Sequence, residues 1–148
     1  MQLSKRICLT WCICTLFPSV VMAADVEYHG CAPEISVPLS DAVRVGDLLF
    51  LSGKLGIAPG ERQLVEGGIG PETRQTMENI KSAMEKYGSG MDRVVKCTVF
   101  LADMAEWGAM NEVYRTYFPI NPPARSALGA SGLALDARVE IECMAALK

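Results

Sequence analysis

The chain has 148 residues, of which 14 are basic and 17 are acidic, and its formal net charge is −3. This length fits one domain with one hydrophobic core. The acidic balance excludes the strongly basic surface that supplies most of the affinity of proteins for nucleic acids, so we predict no nucleic-acid partner.

The first 24 residues have the composition of a secretory signal peptide. Two basic residues, Lys5 and Arg6, precede an apolar stretch over residues 7–22, and two alanines follow it. This order is typical of a cleaved leader. The alternative is an uncleaved membrane anchor, because the stretch is nearly long enough to span a bilayer, but no positively charged flank follows it. We predict cleavage near its end and a single periplasmic or secreted domain over residues 25–148, without membrane attachment.

Removal of this leader changes both the charge and the cysteine count. Two basic residues, no acidic residues and three of the six cysteines would leave, so the charge falls from −3 to −5. Cys31, Cys97 and Cys143 remain, and an odd number in an exported chain leaves at least one cysteine free or paired between chains. Cys97 and Cys143 lie in apolar segments, where we expect buried thiols that pack as small hydrophobic groups. The sequence has no CxxC motif and no His/Cys cluster, so we expect no metal ion.

The first predicted elements of the mature chain form a hairpin. An irregular arm over residues 25–33 carries the single histidine, His29, which we expect at the surface. Residues 42–53, AVRVGDLLFLSG, predict a strand, a tight turn at Gly46-Asp47 and a second, more buried strand. A polar, glycine-rich connection follows over residues 58–70.

Two amphipathic helices and two strands are predicted after this connection. Pro71 opens the first helix, and residues 93–103, RVVKCTVFLAD, predict a central strand with apolar side chains on both faces. Asp103 caps a second helix that runs to about Phe118, and residues 137–146 predict the last strand. The apolar stripe of the first helix consists of Met77, Ile80, Met84 and Tyr87. The apolar face of the second helix consists of Trp107, Met110, Tyr114 and Tyr117.

This order of elements predicts an α+β fold in which a mixed β-sheet carries both helices on one face. The sequence does not decide whether a short extra strand forms near residues 125–128. The helices leave the other face of the sheet without cover, and a chain of this size most easily covers it by self-association. We therefore predict a homo-oligomer.

Three charged residues near the C-terminus are candidates for chemistry. Arg125 lies at the start of an apolar segment, where its planar fork can bind a carboxylate through two hydrogen bonds. The alternative is an ion pair at the surface. Glu140 and Glu142 are two residues apart on the last strand and point to the same face. One of them is a candidate general acid or base, and the alternative is a solvated strand face.

Gly53 closes the second strand of the hairpin, and its lack of a side chain would let a ligand approach the backbone. Ser52 and Lys54 beside it can donate hydrogen bonds to such a ligand. A nucleophilic serine is disfavoured because no histidine is available as its base. The glycines at positions 67, 68 and 70 lack the spacing of a nucleotide-binding loop, so we expect no cofactor of that kind.

Several segments together resemble the RidA/YjgF family of reactive-intermediate deaminases. They are LLFLSGKLG at residues 48–56, VVKCTVFLADMAEWGAMNEVYRTYF at 94–118 and PPARSALGASGLALDARVEIECMA at 122–145. The resemblance covers residues 38–147. It implies a chorismate-mutase-like α+β domain that assembles as a homotrimer around a central barrel, with clefts between subunits. It also implies hydrolysis of small 2-enamino or 2-imino acids to 2-keto acids and ammonia, without a cofactor.

The resemblance also assigns roles to single positions. Arg125 matches the arginine that grips the substrate carboxylate, and Glu140 matches the glutamate that positions the attacking water. The substrate-binding residues that it implies are Ser52, Gly53, Asn111 and the backbone of Ala127.

Three positions depart from the family pattern. Leu39 stands where the family has a tyrosine, Ala127 where it has a cysteine, and Lys54 where a glutamine is common. The loss of the tyrosine hydroxyl predicts a more apolar pocket and a different preferred substrate. The alternative function is a family member that binds a small carboxylate without turning it over. Ribonuclease activity and a chaperone activity regulated through the cysteines are further alternatives.

Overall fold

The structure, a computed structural model, describes residues 23–30 and 38–147. The predicted leader up to Met22 and the cysteine at position 31 lie outside this part of the chain. Within it, no helix is both long enough and apolar enough to cross a membrane.

The described chain folds into six strands and two helices, joined by loops and short 3₁₀ turns. The strands are β1 (Val26–His29), β2 (Ala42–Val45), β3 (Leu48–Leu51), β4 (Val94–Leu101), β5 (Ala124–Gly129) and β6 (Val139–Ala146). The helices are α1 (Ile69–Lys86) and α2 (Trp107–Tyr114).

The strands form one mixed sheet in the order β1-β2-β3-β6-β4-β5. β4 and β5 run parallel, and every other neighbouring pair is antiparallel. The predicted hairpin is present as β2 and β3. The extra strand near residue 125, which the sequence did not decide, is present as β5. β4 is central, as predicted. The predicted α+β class with a mixed sheet is confirmed.

The segment predicted as an irregular arm contains an edge strand. β1 pairs with β2 in an antiparallel register that places His29 opposite Ala42, and its valine and tyrosine favour an extended backbone. The His29 ring is partly buried and stacks on the ring of Tyr87, with the centroids 5.0 Å apart. This histidine therefore has a packing contact that the sequence did not indicate.

Helix α1 begins at Ile69, two residues before the predicted start at Pro71. Proline is tolerated there because the N–H groups of the first turn have no partner inside the helix. The helix ends before Gly88, whose φ of +86° favours glycine. The fully buried side chains of its predicted stripe are Met77, Ile80 and Met84.

Both helices pack on the same face of the sheet, because their buried side chains form one hydrophobic core with those of β6. Val139, Ile141 and Cys143 face the helices and are at most 1% exposed. Glu140 and Glu142 lie between them in sequence and face the other side of the sheet. The predicted alternation of the last strand is therefore confirmed.

The opposite face of the sheet carries no helix in the described part of the chain. It presents partly buried apolar side chains, among them Phe50, Phe100 and Met144. Val95 on β4 is 47% exposed, because a register shift between Val94 and Lys96 turns it outwards. Cover of this face by a second copy of the chain stays a prediction.

A disulfide joins the two central strands. Cys97 of β4 and Cys143 of β6 are direct cross-strand partners, and their sulfur atoms are 2.02 Å apart. Both residues are buried, as predicted, but the prediction of two separate thiols is wrong. The sequence does not show the pairing, because it depends on the register that brings two residues 46 positions apart directly opposite each other.

Candidate functional site

Arg125 lies on β5 and directs its side chain to the face of the sheet that the helices cover. Its Nη1 atom donates a hydrogen bond of 2.7 Å to Oδ1 of Asn111. The guanidinium carbon lies 4.6 Å from the ring centroid of Tyr114 and 5.7 Å from that of Trp107. These contacts orient the planar fork through an amide and two aromatic rings.

No carboxylate lies within ion-pair distance of Arg125 among the residues that the structure describes. The basic residues that form ion pairs there are His29, Arg44, Lys54, Lys86, Arg115 and Arg138. The alternative of a surface ion pair for Arg125 therefore does not hold within this part of the chain. A partly buried guanidinium without a carboxylate partner is suited to bind an anion from outside the chain.

The three side chains described above that contact the Arg125 guanidinium lie on one face of α2. Trp107, Asn111 and Tyr114 are spaced four and three residues apart, which aligns them along the helix. Burial raises the pKa of Tyr114 to about 12, against the opposing effect of the Arg125 charge, so its hydroxyl stays protonated. Trp107 is 40% exposed. The prediction that Trp107 belongs to the buried stripe of this helix is wrong, because its ring lies beside Arg125.

Glu140 lies on β6 with its carboxylate against the backbone of Gly53. A Cβ atom added at Gly53 would lie 1.9 Å from Oε1 of Glu140. Any side chain at position 53 would therefore displace the carboxylate. The group that lies close to the Gly53 backbone is therefore the side chain of Glu140, where the sequence analysis suggested a ligand.

Two features of its environment make the Glu140 carboxyl group a weaker acid than a free glutamate. Burial raises the pKa of Glu140, and the negative charge of Glu142 raises it further. A carboxyl group with a raised pKa is a better general acid or base near neutral pH, because its pKa is then closer to the pH at which it works.

Hydrogen bonds fix the backbone of β6 on both sides of Glu140. The carboxylate of Glu72 accepts bonds of 2.7 and 3.2 Å from the N–H groups of the two preceding residues. Ile141, the next residue, exchanges backbone hydrogen bonds of 2.9 and 3.1 Å with Lys54. Glu72 is 4% exposed. The sequence indicated only that it lies in the first turn of a helix, so its role as an anchor was missed.

The two residues beside Gly53 bind the preceding loop. The Ser52 hydroxyl donates a hydrogen bond of 2.6 Å to the carbonyl oxygen of Ser40. Lys54 forms an ion pair with Asp41, which also accepts a hydrogen bond of 2.6 Å from the hydroxyl of Tyr87. The prediction that Lys54 donates to a ligand is therefore not supported, because its ammonium group is paired with Asp41.

The candidate residues form two clusters on opposite faces of the sheet. The arginine cluster consists of Trp107, Asn111, Tyr114, Arg125 and Ala127. The glutamate cluster consists of Ser52, Gly53 and Glu140. Arg125 and Ala127, two residues apart on β5, share the helix-covered face, whereas Glu140 faces the open side. One copy of the described chain therefore does not bring Arg125 and Glu140 together.

A cavity of about 320 Å³ lies beside the arginine cluster and is lined by Arg125, Tyr114, Phe118 and the two prolines that precede β5. A second cavity, of about 420 Å³, lies beside Gly53 and Lys54. Within residues 23–30 and 38–147, no group of three or more His, Cys, Asp or Glu residues is placed to hold a metal ion.

Comparison with known proteins finds a sequence family that matches almost all of the described chain. The sequence model of a family described as endoribonuclease L-PSP matches residues 30–147. A 2-iminobutanoate/2-iminopropanoate deaminase of Mus musculus is 41% identical over 114 residues, which cover 77% of this chain and 84% of that protein.

Two solved structures have the same fold. The yeast protein YEO7 superposes with a TM-score of 0.77 at 36% identity, covering 84% of this chain and all of the yeast chain. The E. coli protein TdcF, solved with bound serine, superposes with a TM-score of 0.72 at 28% identity, covering 79% of this chain and 94% of that one.

Proposed function

Because the chain belongs to the RidA/YjgF family, whose sequence model is described as endoribonuclease L-PSP, we propose that it hydrolyses 2-imino and 2-enamino acids to 2-keto acids and ammonia. The observation that carries the proposal is Arg125, whose guanidinium is oriented by three side chains and has no carboxylate partner among the described residues. The similarity to a structure with bound serine, a small amino acid, supports a small carboxylate as its ligand.

The proposed reaction needs two functions from the protein. Arg125 binds the substrate carboxylate with two hydrogen bonds and so fixes the imine carbon. Glu140 orients a water molecule and accepts its proton as the water oxygen attacks that carbon. The carbinolamine that results loses ammonia when its nitrogen takes up a proton and the C–N bond breaks. One imine and one water give one keto acid and one ammonia, so the reaction needs no cofactor.

A complete site requires the two clusters to face one cleft, although they lie on opposite faces of the sheet in one copy. The proposal therefore includes a homotrimer in which the arginine cluster of one copy meets the glutamate cluster of the next. The open sheet face with its apolar side chains supports self-association. Light scattering should give the mass of three chains. A monomer that still hydrolyses imines would contradict the shared site.

Leu39 supports a site with an apolar wall. Its side chain is 55% exposed, and the carbonyl group of the next residue, Ser40, accepts the hydrogen bond from Ser52. Leu39 is thereby held near the glutamate cluster. The hydroxyl that family members with a tyrosine have at this position is absent, so it makes no polar contact with the substrate.

Hydrolysis is tested on 2-imino acids that an amino-acid oxidase forms in place, with release of ammonia and 2-keto acid as the measurement. Glu140→Gln should lower kcat by at least about 100-fold, since a general base contributes this much or more. Glu142→Gln is the matched control, because it changes the same strand face two residues away and should retain most of the activity. Arg125→Lys keeps the charge but not the fork, and should raise KM.

If the protein only binds a small carboxylate, the same samples should give a different result. This alternative predicts no acceleration by the unaltered protein, together with a rise in its melting temperature on addition of a 2-keto acid that is lost in Arg125→Lys. Ribonuclease activity is disfavoured by the net charge of −3.

Export of the protein to the periplasm or medium is part of the proposal. The disulfide between Cys97 and Cys143 supports it, because disulfides persist mainly in oxidising compartments. Fractionation of a bacterium that expresses the full chain, followed by sequencing of the N-terminus, should find a processed chain outside the cytoplasm. A full-length chain retained in the cytoplasm would contradict export.

A further inference from the structure

Trp107 is the large apolar side chain of the arginine cluster that remains open to solvent. It is 40% exposed, whereas Tyr114, at the other end of the same helical stripe, is 4% exposed. Both rings contact the guanidinium of Arg125. Tyr114 therefore supports Arg125 from inside the fold, and the exposed part of the Trp107 ring is available to a ligand.

The course of the chain places Trp107, at the start of α2, near the end of β5. β5 runs parallel to β4, and α2 follows the end of β4, so the start of α2 lies near the end of β5. This is supported by Met104, a side-chain atom of which lies 3.1 Å from a Cβ position built at Gly129, the last residue of β5. The guanidinium carbon of Arg125 lies 5.7 Å from the centroid of the Trp107 ring, and Trp107 does not line the cavity on the Tyr114 side of Arg125. An anion bound to the guanidinium on the side of Trp107 can therefore also contact the exposed part of the indole ring.

We infer that Trp107 is the wall on which the side chain of the substrate packs, and that the preferred substrates are 2-imino acids with branched or aromatic side chains. The inference rests on the proposed function, because it takes Arg125 as the grip on the carboxylate. The side chain of a 2-imino acid begins two bonds from its carboxylate carbon, which is within reach of a ring 5.7 Å from the guanidinium. Larger apolar side chains remove more of the exposed ring from water and so bind more tightly.

The first test compares kcat/KM for the 2-imino acids derived from alanine, leucine and phenylalanine. The unaltered protein should prefer the two larger substrates by at least about tenfold, in the range that apolar pockets give for added methylene groups. Trp107→Ala should lose most of this preference, and Trp107→Phe should keep much of it. Tyr28→Ala is the matched control, because Tyr28 is an exposed aromatic residue on β1, 67% exposed, and should leave the preference unchanged.

The ratio of the kcat/KM values for the large and small substrates decides whether Trp107 contacts the substrate side chain. Partial unfolding of Trp107→Ala lowers kcat/KM for every substrate by the same factor and leaves the ratio unaffected. An equal loss on all substrates, with the preference kept, would mean that Trp107 only orients Arg125, and would overturn the inference. Hydrolysis without any preference for larger side chains would also overturn it, while the proposed function would stand.

A second test does not depend on turnover. Pyruvate and 4-methyl-2-oxopentanoate are titrated into the Glu140→Gln protein, and tryptophan emission is recorded. The sequence has one other tryptophan, Trp11, so the signal of Trp107 is the part that Trp107→Phe removes. Tighter binding of the branched keto acid, with a change in that signal, supports the inference even if the unaltered protein hydrolyses no imine. Equal binding of both keto acids, or binding without a change in that signal, contradicts it.

Discussion

The arginine cluster and the glutamate cluster are held in place by different kinds of contact. Arg125 is positioned by side chains, since the amide of Asn111 and two aromatic rings of α2 surround its guanidinium. Glu140 is positioned by the backbone, since its carboxylate lies against Gly53 and its strand is hydrogen-bonded on both sides.

This difference decides how each cluster responds to substitution. A side-chain contact can be weakened in steps, because an amide or a ring can be exchanged for a smaller group. A contact with a glycine backbone is lost at once when a Cβ atom is added. We therefore expect changes in the arginine cluster to alter the affinity and choice of substrate, and changes in the glutamate cluster to stop the reaction.

Among the substitutions that test this difference, the largest effect is expected for Gly53→Ala. The added Cβ would lie 1.9 Å from Oε1 and 2.8 Å from the carboxyl carbon of Glu140, so the flexible side chain must move while the fold is kept. A displacement of this size should lower kcat by about 100-fold, with little change in melting temperature. Imine hydrolysis and thermal unfolding are the two measurements.

Gly108→Ala is the matched control for this substitution. Gly108 lies inside α2, and a Cβ atom there meets open space. Activity should be retained, and the helix should gain about 0.5–1 kcal/mol. Equal activity of the Gly53→Ala and Gly108→Ala proteins would show that the position of the Glu140 carboxylate does not matter for turnover.

A smaller effect is expected for Asn111→Ala. The variant loses the hydrogen bond of 2.7 Å to Arg125, while both ring contacts remain. A hydrogen bond to a charged group contributes about 1.5–3 kcal/mol, so KM should rise by at least about tenfold with a small change in kcat. Glu112→Ala, next to it on α2, removes only the ion pair with Arg115 and should leave both constants unchanged. A fall in kcat alone would place Asn111 in the chemical step instead.

The smallest effect concerns the pH dependence of stability. The pKa of Glu140 is raised in the folded protein, first by burial and then by Glu142. Between the ordinary value of 4.5 and the raised value, the folded state binds more protons than the unfolded state, so the free energy of unfolding falls as the pH rises. The Glu140→Gln protein has no ionisable group at this position, so its free energy of unfolding does not fall with pH for this reason. Its melting temperature should exceed that of the unaltered protein at neutral pH by more than it does below pH 4.5.

Glu142→Gln sharpens this test, because it removes the second cause of the raised pKa and keeps Glu140. The pH dependence should become weaker and lie closer to the ordinary range of a glutamate. Identical pH profiles of unfolding for all three proteins would contradict a raised pKa at Glu140.

The local features of the fold could be predicted from the sequence. The spacing of Met77, Ile80 and Met84 gave the buried stripe of α1, and the alternation in β6 placed Glu140 and Glu142 on one face. Such patterns depend on residues that are close in the chain. They also led to the prediction that one face of the sheet carries no helix, because both helices were expected on the other face.

The features that create the clusters could not be predicted from such patterns. The contact between Gly53 and Glu140 depends on the pairing of Lys54 with Ile141, two residues far apart in the chain. The prediction that Trp107 is buried was wrong for a different reason. Helical spacing shows which residues share a face, but it does not show whether that face meets the hydrophobic core or surrounds a charged side chain such as Arg125.

The disulfide between Cys97 and Cys143 restricts how the two central strands can move. A shift of β4 against β6 by one residue would turn one of the two side chains to the opposite face of the sheet, where the sulfur atoms could not remain bonded. While the bond is intact, β6, which carries Glu140, therefore cannot slide along β4. Reduction of the bond removes this covalent restriction and leaves the register to backbone hydrogen bonds and side-chain packing alone.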